Sequence, residues 1–112
     1  MLHYEKLDVY QVSIQFVATA VAVSEQVPKG YAALADQLRR AAWSIPLNIA
    51  EGVGKPSAPD QVRFQAIARG SAMECGAILD VVNVLNVSVS QELTSAKQLI
   101  VRIVEMLTKM CR

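Results

Sequence analysis

Apolar residues recur at steps of three and four in each of four long segments, and the gaps between segments carry Pro, Gly, Asn or Ser. That spacing lays an apolar stripe along an α-helix. A half-buried strand would need a period of two, and no segment shows one. The pattern predicts an all-α fold: an antiparallel up-down four-helix bundle, with residues 1–112 as a single domain.

The first helix is expected to start at Asp8, acting as N-cap, and to end before Pro28-Lys29-Gly30. Val9, Val12, Phe16, Ala20, Val23 and Val27 share one face, and a second stripe of Tyr10, Ile14, Val17 and Val21 runs beside it. One stripe suits the bundle core and the other a subunit interface. The second helix is expected from about Tyr31 to Gly52 or Gly54. Its apolar face is Leu34, Leu38, Ala41, Ile45 and Ile49. Pro46 lies inside it and cannot donate to the Ala42 carbonyl, so a kink is expected, with Ser44 or Asn48 placed to satisfy that oxygen. After a Gly- and Pro-rich connector (Gly52 to Pro59), Ser57 and Asp60 resemble a capping box. The third helix then places Phe64, Ile67, Ser71, Cys75, Ile78, Val82 and Leu85 at helical spacing, with Gly70 and Gly76 permitting close backbone approach. Ser88 or Ser90 is expected to cap the fourth helix, whose seam is Leu93, Ala96, Ile100, Ile103, Leu107 and Met110.

The chain is 53% hydrophobic but 5% aromatic. A helix in a bundle needs roughly three apolar positions in seven to face its core. The surplus predicts burial against another subunit. A net charge of +1 excludes a strongly basic nucleic-acid module while leaving room for a local basic patch. Cys75 and Cys111 match no metal or redox spacing and suit free thiols. Glu5, Lys6 and Asp8 precede the first apolar run, which is polar-interrupted and shorter than a membrane span; a soluble, cytoplasmic protein is expected.

No catalytic or metal site is expected. GVGKPS (Gly52 to Ser57) has Ile49 where a phosphate-binding loop needs its first Gly, and it follows a helix instead of a strand. Glu51 and Glu74 could face each other, but di-iron bundles add two ExxH motifs and this chain has only His3. Ser71 and Cys75 share a helical face without a histidine base. Arg40, Ser44, Asn48, Glu51, Ser71 and Glu74 fit a structural polar network that sets helix register. Lys29, Arg39, Arg40, Lys55, Arg63 and Arg69 are the candidate nucleic-acid contacts, with Arg39 and Lys55 expected to be the most exposed. Asp36–Arg40, Glu51–Lys55, Asp60–Arg63 and Glu105–Lys109 have ion-pair spacing, so an ordinary charge-balanced surface also fits these residues.

LADQLRRAAWSIPLNIAEGVGK (Leu34 to Lys55), RFQAIARGSAMEC (Arg63 to Cys75) and the opening KLDVYQ (Lys6 to Gln11) closely resemble the 23S ribosomal RNA intervening-sequence family. Trp43 and Leu47 depart from its pattern, replacing small or aliphatic and small polar residues respectively. The resemblance implies a non-enzymatic four-helix bundle that assembles into a ring, typically a pentamer, without cofactor. The family is also similar to the accessory protein of diversity-generating retroelements, a ring-shaped bundle that binds nucleic acid and a reverse transcriptase. RNA or DNA, and a reverse transcriptase or other protein, are therefore implied partners. Combined with the basic residues, this gives two expectations. The first is a homo-oligomeric scaffold that binds RNA or DNA weakly through repeated basic patches. The second is a protein-binding adaptor with no nucleic-acid role.

Overall fold

In the computed structural model, residues 2–88 and 90–111 are described, Ser90 by its backbone alone. Four helices follow in order: α1 (Asp8–Gln26), α2 (Ala32–Val53), α3 (Ala58–Leu85) and α4 (Ser90–Met110). A 3-10 turn precedes α1 at His3–Lys6, and another links α1 to α2 at Lys29–Tyr31. At 1.5 Å per residue, the 28 residues of α3 span about 42 Å. The molecule is 44 Å long, so the helices run along its long axis.

Each helix packs against two neighbours: α1 on α2 and α4, α3 on α2 and α4. Among the described residues the backbones of the diagonal pairs do not come close, which makes the cross-section a square with the helices in chain order around it. At its centre lie Phe16, Leu38, Ile45, Leu79, Ile103 and Leu107, all fully buried. The first stripe of α1 faces this core from Val9 to Val23. Two serines join it at no cost in unpaired groups, because Ser13 donates to the Tyr10 carbonyl at 2.6 Å and Ser24 to that of Val21 at 2.7 Å.

Helix ends follow local chemistry, with corrections to the expected residues. Leu7, not Asp8, is the N-cap of α1; Asp8 is its first helical residue, where its charge still favours the helix N-terminus. Ser57 caps α3 by accepting from the Asp60 amide at 3.3 Å. Asn86 ends α3 with φ of 55°, the left-handed geometry that asparagine tolerates. The N-cap position of α4 is residue 89, which lies outside the described residues, as does the Ser90 side chain. Ser88 instead donates to Gln26 at 2.7 Å, tying that turn to the end of α1.

α2 continues unbroken through the buried Pro46. The Asn48 side chain donates to the Ser44 carbonyl at 2.8 Å, so its amide serves that oxygen and not the one Pro46 leaves without a donor. In α3 the expected face holds in part: Cys75, Ile78 and Val82 are buried, joined by Ala68, Ala72 and Leu79, whereas Ile67 and Leu85 are exposed. Trp43 and Leu47 also lie on the surface, so neither alters the core.

Candidate functional site

The polar seam between α2 and α3 is narrower than the expected network. Ser44 and Ser71 share a hydrogen bond of 2.7 Å, and Asn48 donates to the Ser44 hydroxyl at 2.9 Å. Glu74 accepts from Gln37 at 3.2 Å. Arg40 and Glu51 stand outside this seam. Arg40 turns to Asp36 at 3.1 Å, and Glu51 is exposed at the end of α2. A helical face spans too wide an arc for sequence spacing alone to separate the side touching α3 from the side facing water.

The six candidate cations do not form one patch. Arg39 and Arg40 reverse their expected roles. Arg39 is half-buried and donates to the Ser24 hydroxyl at 3.0 Å, bracing α1 against α2, while Arg40 is exposed. Arg69 donates to the Thr108 hydroxyl at 2.8 Å, and that hydroxyl in turn donates to the Val104 carbonyl at 2.6 Å. This braces α3 against α4. Lys29 stands exposed at the end of the bundle that carries the α1–α2 turn.

Lys55 and Arg63 do come together, at the opposite end. Both lie over the ring of Phe64, the ammonium 5.0 Å and the guanidinium carbon 4.6 Å from its centroid. Cation–π attraction holds two like charges beside one aromatic ring. Asp60 approaches Arg63 at 3.8 Å, whereas no ion pair joins Glu51 to Lys55 or Glu105 to Lys109 among the described residues. The connector is drawn tight here. Gln61 donates to the Lys55 carbonyl at 2.8 Å, and Gly52 lets α3 cross α2 closely.

The residues considered for catalysis are occupied otherwise. Ser71 is bonded to Ser44, and burial pushes the Cys75 thiol up to about 12, with nearby Glu74 adding to the shift. At neutral pH that group is a thiol and a poor nucleophile. No three His, Cys, Asp or Glu side chains gather as a metal site among the described residues. Likewise, among those residues no helix is long and apolar enough to cross a membrane.

Sequence spacing missed the exposed apolar residues of α3 and α4. Ile67, Met73, Val81 and Val84 on α3 and Val101 on α4 face outward. The available signal was that α3 carries more large apolar residues than one face can hold: Ile78, Leu79 and Val82 fill its inner side beside Ala68, Ala72 and Gly76. Also missed was Arg102, an exposed cation on α4.

The model of the 23S rRNA-intervening sequence proteins matches residues 5–109, nearly the whole bundle. The chain belongs to that family. A solved structure from Bacteroides thetaiotaomicron, a protein with unknown function from the S23 ribosomal protein family, superposes with a TM-score of 0.85. It is 20% identical, and the match covers 93% of this chain and 98% of that one, which shows a shared fold. No curated protein matches the chain. Neither the intervening-sequence family nor its structural relative indicates a catalytic class.

Proposed function

We propose that this member of the intervening-sequence family is a non-enzymatic homo-oligomeric scaffold, a ring of copies that binds RNA or DNA weakly through phosphates. The observation that carries the reading is a pair of dissimilar apolar surfaces on opposite sides of one bundle. Ile14, Val17, Trp43, Pro46 and Leu47 line a shallow hollow between α1 and α2. Met73, Gly76, Ala77, Ile100, Val101 and Val104 line a groove between α3 and α4, edged by Asp80, Lys97 and Glu105. Because the helices stand in a square, these two sides face away from each other. Two different surfaces that bury one another make a head-to-tail contact, which closes into a ring when the rotation permits. The family resemblance supports five copies.

Nucleic-acid contact is assigned to Lys55 and Arg63, the two candidates that converge. A ring repeats that pair once per copy at one rim, and multivalency converts weak single contacts into useful avidity. Few aromatic side chains are free to stack on bases, so contact is to phosphates and depends little on sequence. The test is fluorescence anisotropy with labelled single strands and duplexes across a salt series, run on an assembly whose mass is fixed by light scattering. Lys55→Ala and Arg63→Ala should each weaken binding and flatten the log–log salt slope by about one unit. An intact oligomer that binds nothing at low salt would overturn the nucleic-acid role and favour the protein adaptor. A monomer at micromolar concentration would overturn the scaffold.

A further inference from the structure

Within one chain, Ser44 meets Ser71 and Gln37 meets Glu74. This antiparallel pairing sets the stretch of α2 from Arg40 to Leu47 level with the stretch of α3 from Glu74 back to Ile67. Both stretches carry an outward row. On α2 it reads Arg40, Trp43, Leu47; on α3, at the same heights, it reads Glu74, Gly70, Ile67. All six residues are exposed, and the apolar members strongly so: Trp43 at 46%, Leu47 at 68% and Ile67 at 42%.

In a ring whose axis runs along the bundles, equivalent atoms of every copy stand at one height. The square order of helices brings α2 of one copy opposite α3 of the next, again antiparallel. From this we infer that the joint between copies is built by these two rows. Arg40 meets Glu74 of the next copy, Leu47 meets its Ile67, and the indole of Trp43 lies over its Gly70. The inference rests on the head-to-tail assembly proposed above, and on α3 it places the joint at the row beside α2 instead of the groove against α4.

Gly70 supplies an independent reason. It sits inside a 28-residue helix, where glycine is less favourable than alanine. A Cβ built on it meets nothing within 4 Å, so no contact inside the chain requires glycine there. Gly52 differs, because a Cβ on it would press against α3. A gap in the side-chain row at the height of the only tryptophan is what a flat ring needs to approach a helix backbone. The charges agree: Arg40 and Glu74 stand at the same end of their rows and carry opposite signs, while like charges there would oppose the joint.

The test uses the full chain, with mass from light scattering, folding from circular dichroism, and emission of the single Trp43 as a local probe. Wild type should show several times the 12.2 kDa chain mass, and its emission should shift red on dilution as Trp43 becomes wet. Gly70→Gln fills the gap with a good helix former, so the helix persists while the mass falls to that of one chain. Arg40→Glu and Glu74→Arg should each dissociate the oligomer, and the double variant carrying both changes in one chain should restore it, because every joint then pairs opposite charges again with their signs exchanged. Oligomeric wild type with Gly70→Gln and both charge variants equally large would overturn this joint and leave the assembly standing. Monomeric wild type would overturn both and point to a different protein as the occupant.

Discussion

Gly52→Ala tests whether the connector end is as tightly crossed as its geometry states. Alanine adds one methyl group and gains helix propensity of about 1 kcal/mol over glycine. The new carbon would lie 3.1 Å from the Cβ of Phe64 and 3.3 Å from the Gln61 carbonyl oxygen. Both atoms are fixed to the α3 backbone, so relief requires moving α3 away from α2, and overpacking of this kind costs about 1–3 kcal/mol. The clash should outweigh the propensity gain, leaving a net loss of about 1 kcal/mol, or roughly 4 °C in melting temperature for a chain this size. Gly54→Ala is the control: its nearest contact would be an ordinary 3.5 Å, and its φ of −76° suits any residue. Urea unfolding at one fixed protein concentration should lower the midpoint for Gly52→Ala, with an unchanged slope, and spare Gly54→Ala. A Gly52→Ala protein as stable as wild type would refute the tight crossing.

Arg39→Ala should cost about 1 kcal/mol by removing the bond to the buried Ser24 hydroxyl, whereas Arg40→Ala should cost less than about 0.5 kcal/mol within the subunit. The comparison belongs at concentrations low enough to dissociate any oligomer. Thiol labelling at pH 8 should modify the half-buried Cys111 readily and the buried Cys75 only under unfolding conditions. The Cys75 thiol is raised from an ordinary 9.0 to about 12, so its proton is held more tightly in the folded state. Its contribution is fully present below about pH 9 and is lost as pH rises toward 12. The stability advantage of wild type over Cys75→Ala should shrink across that window in denaturant titrations.

How far the chain was legible depended on where one face alone decided the outcome. On α1, Val9, Val12, Phe16, Ala20 and Val23 are the apolar members of a single arc, and all five are buried as their spacing predicts. The seam of α4 from Leu93 to Leu107 is equally direct. On α3 the expected face held at Cys75, Ile78 and Val82 and failed at Ile67 and Leu85, because spacing alone does not fix where the edge of a buried arc falls. Part of its inner side is narrow: Ala68 and Ala72 are buried there, and Gly76 lies close to Ile100 of α4. Ile67, Met73 and Val84 are then left outside, although each is more apolar than the residues that replaced it inside.

Site residues were harder to place than helices for a related reason. An arginine on a helix can reach several neighbours, and the choice is made in three dimensions. Arg39 and Arg40 differ by one position, yet one meets Ser24 of another helix and the other meets Asp36 of its own. Lys55 and Arg63 lie on different segments, but the short connector folds both onto Phe64. The same shift in view changes the meaning of the apolar surplus. Spacing assigns it to the second stripe of α1, where Ile14 is exposed, but the most exposed large apolar residues of the four helices are Val84 on α3 and Leu47 on α2. The inner side of α3 is already filled by Cys75, Ile78, Leu79 and Val82 together with Ala68 and Ala72, so Ile67, Met73 and Val84 have no place left in the core. The side chains this packing leaves on the surface are those a second copy can cover.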